Sequence, residues 1–98
     1  MALSIETKIQ KTTTLLGLLS DPTRFRIVLL LLKHPRGLYV YEIAEGVGVS
    51  HSGVSHQLGK LEAHHVVEGY RDGKSICYAL VKNTTTRSVR RIVQIFLS

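Results

Sequence analysis

Apolar residues recur at helical spacing over the first two thirds of the chain, with short polar interruptions. The pattern predicts helices over residues 4–19, 22–33 and 50–63, and a shorter third helix that stops near Gly48. Ser4, Asp21 and Ser50 precede three of these helices, where side-chain oxygens cap free backbone N–H groups. The second helix, PTRFRIVLLLLK, is apolar almost all round, which indicates a buried central position.

The pattern changes after this helical region. Residues 66–71 and 75–81 are prone to form strands and flank Asp72-Gly73, which is a strong hairpin signal. A short strand is also predicted at residues 38–41, and Asn83 or Thr84 is expected to cap a last helix. The order predicts a mainly α fold with a small β-hairpin, α-α-α-α-β-β-α, in one domain over residues 1–98. A helix-turn-helix followed by a hairpin is a winged helix-turn-helix.

The stretch GVSHSGVSHQLGKL, residues 48–61, raises a question about its glycines. Val54, Leu58 and Leu61 share one helical face, and small polar residues cover the other. Gly53 and Gly59 nevertheless lie inside the predicted helix, where each glycine costs about 1 kcal/mol relative to alanine. Either the outward face fits closely against a polar partner, or the segment is a poor helix or a loop.

Charge favours the first interpretation. The net charge is +6 in 98 residues, which favours polyanionic partners such as nucleic acid. We find no set of nucleophile, base and orienting group, no phosphate loop and no paired carboxylates, and therefore predict that the protein is not an enzyme.

Cysteine usage and hydropathy indicate the compartment. The single cysteine, Cys77, excludes an intrachain disulfide and fits a reducing cytoplasm. Cys77 is a packing residue or, less favoured, a redox sensor. The N-terminal segment lacks the apolar core of a secretory signal, and residues 27–32, the longest apolar run, are too few to cross a bilayer. We expect a cytoplasmic protein with no membrane partner.

Three segments resemble the ArsR/SmtB family of small bacterial and archaeal transcriptional repressors. The opening of the family's second helix resembles the segment LSDPTRFRIVLLL. The family's helix-turn-helix resembles YEIAEGVGVSHSGVSHQLGKLEAHHVV, and its wing resembles GYRDGKSICYAL. The resemblance runs from about Leu15 to Leu80. It implies a homodimer that binds a double-stranded DNA operator and is released by an inducer, whose identity the sequence leaves open.

The resemblance carries DNA-contact roles onto matching positions. The second helix of a helix-turn-helix enters the major groove, where glutamine pairs with adenine and serine both donates and accepts. The expected DNA-binding residues are His51, Ser52, Ser55, His56, Gln57 and Lys60 in the recognition helix, and Arg71 and Lys74 at the wing tip. Gly53 and Gly59 depart from the family's usual threonine and bulkier or charged residue, so we expect altered contacts there.

The terminal helices, residues 4–19 and 84–97, both carry apolar stripes although the central helices already supply a core. A two-fold interface would bury both stripes; alternatively, the stripes wrap the monomer. The expected dimerisation residues are Ile5, Ile9, Leu16, Val89, Ile92, Val93 and Phe96.

The metal sites that the resemblance implies lack their ligands in this sequence. Tyr39-Val40-Tyr41 stands where one family site has Cys-x-Cys, and residues 84–98 contain no Asp, Glu, His or Cys for the other. Glu62 and His65 have the spacing of a shared helix face. Two ligands do not close a zinc site, although a two-fold dimer could supply two more; surface or packing histidines are the favoured interpretation. We therefore expect no metal and no cofactor.

Two classes of function remain. The favoured one is a homodimeric, sequence-specific DNA-binding transcriptional regulator acting as a repressor, with the recognition helix (50–63) in the major groove and the wing (66–81) at the flanking groove. The alternative is a winged-helix protein-interaction module without DNA readout, because a fold does not fix a function.

Overall fold

The computed structural model describes residues 4–97, which contain five helices and three strands. In chain order the elements are α1 (Ile5–Leu19), α2 (Pro22–Leu32), β1 (Leu38–Tyr39), α3 (Val40–Val47), α4 (His51–Ala63), β2 (Val67–Asp72), β3 (Ser75–Leu80) and α5 (Thr84–Leu97). The predicted mainly α fold with its hairpin is confirmed. The short strand before α3 is half as long as predicted and adds a third strand to the hairpin.

Side-chain caps fix where the helices begin. Ser4, Asp21 and Ser50 each accept a backbone N–H from the helix that follows, as predicted. Asn83 caps α5, because its Oδ1 accepts the N–H of Thr86 at 2.9 Å. The Thr86 hydroxyl in turn accepts the N–H of Asn83 at 3.2 Å, so two backbone donors are satisfied reciprocally.

The core forms around α2, of which Ile27, Val28 and Leu31 are buried and the remaining leucines are half-buried. The side chains with no exposed surface are those of Ile27, Val28, Leu31, Ile43, Val54, Leu58, Leu61, Val66 and Val89. They come from four helices and the segment before β2, so the helix-turn-helix and the wing share one core. By contrast, the only buried residues of α1 are Leu18 and Leu19 in its last turn, and Leu15 packs half-buried against the core.

The sheet is antiparallel in the order β1-β3-β2. Cys77 on β3 lies between Tyr39 on β1 and Tyr70 on β2. A two-residue loop joins β2 to β3, and Gly73 takes its first position with a φ of 64°. Type II′ hairpin turns place glycine at this position, and the turn therefore suits the twist of the two strands.

A backbone reversal at His65 ends α4. His65 donates its N–H to the carbonyl of Glu62 at 3.0 Å, and Val66 donates to that of Leu61 at 3.0 Å. This is the hydrogen-bond pair of a Schellman motif, and it puts His65 at a left-handed φ of 59°. The hypothesis that Glu62 and His65 share a helix face is wrong, because the helix stops at Ala63.

His65→Gly should raise the free energy of unfolding by about 0.5–1 kcal/mol, since glycine adopts the left-handed conformation without a steric cost but loses more entropy on folding. Urea denaturation followed by circular dichroism measures the change. His64→Gly is the matched control, because His64 has a φ of −101° and gains no relief from glycine. An unfolding midpoint for His65→Gly at or below that of the unmodified chain would contradict the assignment of strain to His65.

Candidate nucleic-acid interface

Helix α4 has one fully buried face and one open face. Val54, Leu58 and Leu61 have no exposed surface and fix the helix against the core. The predicted DNA-binding residues on the opposite side are exposed: His51, Ser52, Ser55, His56 and Lys60. The Ser50 cap completes the first turn, so the polar residues are held on a defined helix and not on a loop.

Gln57 differs from these neighbours because it is half-buried and hydrogen-bonded within the protein. Its Oε1 accepts from Nη1 of Arg24, at the start of α2, at 3.0 Å. Arg24 also donates from Nε to the carbonyl of Leu18 at 2.7 Å. The sequence alone did not reveal Arg24, which lies 33 positions from Gln57. Its only signal was a cation in the first turn of a mostly apolar helix.

The wing carries Arg71 and Lys74, both exposed, beside its turn. Between them in the chain, Asp72 accepts a hydrogen bond from the Tyr39 hydroxyl, and this bond raises the pKa of Tyr39 to about 12. This hydrogen bond ties the wing tip to the strand before α3.

A second link joins the wing to α4. The Glu62 carboxylate, in the last turn of α4, accepts the backbone N–H of Gly69 on β2 at 3.0 Å. The helix that carries the polar face and the hairpin that carries the cations are thus braced against each other. The structure brings the two groups of predicted DNA-binding residues onto elements with a shared core.

The two glycines inside α4 have different surroundings. A Cβ added to Gly53 would lie 2.8 Å from Cγ1 of Val49 and 3.1 Å from Oγ of Ser50, so glycine there lets the turn close on the helix. A Cβ added to Gly59 would meet no atom within 4 Å. The structure therefore explains Gly53 by packing and offers no packing reason for Gly59.

The tyrosines at the family's Cys-x-Cys position stack on each other. The rings of Tyr39 and Tyr41 are nearly parallel, with centroids 5.7 Å apart. Cys77, which pairs with Tyr39 across the sheet, is buried. Within residues 4–97, no three His, Cys, Asp or Glu side chains lie close enough together to hold a metal ion.

The terminal helices expose part of their apolar stripes. Ile5 is 68% exposed on α1 and Phe96 is 76% exposed on α5, and Ile9 and Leu16 are also open. Ile92 and Val93 are half-buried against the chain's own core. Val89 was also predicted to face a partner, but its side chain is completely buried within the single chain and is not available to an interface.

A family described as "Helix-turn-helix domain" matches residues 19–70. A transcriptional repressor SmtB homolog from Synechocystis sp. is 31% identical over 83 residues, which cover 85% of this chain and 61% of that protein. The chain thus spans about three fifths of that relative's length.

None of the helices within residues 4–97 is long and apolar enough to cross a membrane.

Solved structures have the same fold. The transcriptional repressor BigR from Xylella fastidiosa superimposes with a TM-score of 0.82 at 29% identity, covering 94% of this chain and 89% of that one. A homodimeric winged helix-turn-helix DNA-binding domain from Mycobacterium bovis gives a TM-score of 0.77 at 20% identity, covering 97% and 85%. The predicted winged helix-turn-helix is confirmed.

Fold and sequence together define the class as winged helix-turn-helix proteins. Within that class, this chain belongs to the ArsR/SmtB family, as the three segments predicted.

Gly59→Ala should stabilise the protein by about 0.5–1 kcal/mol, because alanine favours an exposed helix interior and the added methyl group meets no neighbour. Gly53→Ala, on the same helix, is the matched control: its methyl group overlaps Val49, and we expect no gain or a loss of stability. Thermal unfolding of both variants measures the difference. Equal gains from the two substitutions would show that Gly53 is not packed as described.

Proposed function

We propose that the chain is a homodimeric, sequence-specific DNA-binding transcriptional regulator that acts as a repressor. In this proposal α4 lies in the major groove and the wing reaches the flanking groove. The observation that carries it is the exposed polar face of α4. A fully buried stripe holds this face rigidly, and the face consists of residues that can hydrogen-bond to base edges.

The charges near this face support a polyanionic partner. Lys60 on α4 and Arg71 and Lys74 on the wing are exposed, and Asp72 is engaged by Tyr39. Contacts from such cations to phosphates would position the protein on the duplex, and side chains of α4 would read the sequence. We assign DNA contacts to all the predicted residues of the helix and the wing tip, with Gln57 held by Arg24.

The exposed apolar residues of the terminal helices support the dimer. On α1, whose first turns have no buried side chain, the exposed apolar residues are Ile5, Ile9 and Leu16. On α5, Ile95 is 72% exposed and lies beside Phe96. Two-fold association would remove these surfaces from water, and two-fold dimers are the commonest oligomers of soluble proteins. It would also present two copies of α4 to a pseudo-palindromic operator.

Ser55→Ala combined with His56→Ala should lower operator affinity by about ten- to hundredfold, because base-edge hydrogen bonds are lost. An operator is first selected from random duplex DNA, and affinity is then measured by fluorescence anisotropy. Both side chains are exposed, so the fold is unaffected. His34→Ala removes an exposed histidine outside the interface and serves as the matched control.

Salt separates DNA reading from the protein-interaction alternative. Affinity for duplex DNA should fall as salt rises, and Lys74→Ala should reduce the slope of log affinity against log salt by about one. Failure to select any sequence, or an affinity independent of salt, would contradict the proposal and favour a protein-interaction module.

The chain should have twice its 10.9 kDa mass in solution. Ile9→Glu and Phe96→Glu should each shift the equilibrium towards monomer, because each puts a charge on a surface that association would bury. Light scattering coupled to size exclusion measures the mass. Ile76→Glu is the control, since Ile76 is an exposed apolar residue on the wing, away from both helices. A monomeric unmodified chain at micromolar concentration would contradict the dimer.

A further inference from the structure

The guanidinium group of Arg24 joins the end of α1 to the outward side of α4. Besides its bonds to Gln57 and to the Leu18 carbonyl, it donates from Nη2 to the carbonyl of Gly17 at 3.4 Å. Three acceptors on one rigid planar fork hold the group in a single orientation. The half-buried position of Arg24 restricts it further.

This arrangement fixes the orientation of the Gln57 amide. A guanidinium group only donates, so the amide must turn its oxygen, and not its nitrogen, towards Arg24. Within residues 4–97, no hydrogen bond involves Nε2 of Gln57, and no polar atom of a covered side chain is buried without a partner. The Nε2 group is therefore open to solvent, on the helix whose neighbouring Ser55 and His56 are exposed.

We infer that Arg24 makes Gln57 a hydrogen-bond donor towards DNA, so that its position in the operator favours guanine over adenine. The inference rests on the proposed function. Guanine presents two adjacent acceptors, O6 and N7, in the major groove, whereas adenine presents N7 beside the N6 donor. The usual bidentate pairing of glutamine with adenine needs both edges of the amide turned to the base, and here the oxygen is turned to Arg24.

Arg24 is thus a positioning residue that sets base preference without contacting DNA. Lysine at this position would keep the positive charge. Its single ammonium group lacks the planar fork of arginine and does not reach all three acceptors in a fixed geometry. Arg24→Lys should therefore release the Gln57 amide, while overall electrostatic attraction to DNA stays the same.

The test compares the sequences selected from random duplex DNA by the unmodified chain, Gln57→Ala, Arg24→Lys and Arg26→Lys. The operator position at which Gln57→Ala loses its preference is the one that Gln57 reads. There the unmodified chain should favour guanine over adenine by about two- to tenfold, the range of one net hydrogen bond. Arg24→Lys should lose this preference. Arg26→Lys, the same change at an exposed site on α2, should keep it.

Two outcomes of the selection overturn the inference. In the first, the unmodified chain favours adenine at that position; in the second, Arg24→Lys still favours guanine there. The first outcome does not depend on any variant of Arg24 folding. Failure of the unmodified chain to select any sequence refutes the proposed function instead.

A measurement without DNA keeps the two failures apart. In the free protein, Arg24→Lys should shift the side-chain ¹⁵N–H resonances of Gln57, and Arg26→Lys should leave them in place. Gln57 resonances unchanged by Arg24→Lys, in a protein whose backbone spectrum is intact, overturn the positioning role of Arg24.

Discussion

The complete burial of one face of α4 is the constraint on which the other features depend. Val54, Leu58 and Leu61 have no exposed surface, and they lie in the same core as the central helix and the base of the wing. Because this stripe is anchored, the polar residues opposite it have fixed directions. The wing is then placed relative to α4 by the shared core and by the bond from Gly69 to Glu62.

Local rules were enough to predict most of the fold. The caps at Ser4, Asp21 and Ser50 depend only on a short polar side chain before an apolar helix, and the hairpin depends on a glycine at its turn. The exposed polar residues of α4 followed from helical periodicity alone. Each of these features is fixed within a few positions of the chain, which is why periodicity and turn chemistry reveal it.

The features that the sequence did not reveal depend on distant partners or on a single backbone angle. Arg24 meets Gln57 across 33 positions, and no spacing rule links them. The predicted end of α4 at residue 63 is correct, but the left-handed turn that follows was not foreseen, because His65, and not glycine, takes that conformation. Val89 has the periodicity of an interface residue, but periodicity does not distinguish a core within one chain from a surface between two chains.

The open space around Gly59 has a consequence for how this protein can change over generations. Some positions of α4 are constrained, either by the core, as at Val54, Leu58 and Leu61, or, as at Gly53, by a neighbouring turn. Gly59 is exposed and has room for a side chain, so a mutation there adds a new group to the helix without disturbing its packing. Under the proposed function, substitution of this one residue changes the DNA-facing helix, and so the operator that is bound, while the core packing stays the same.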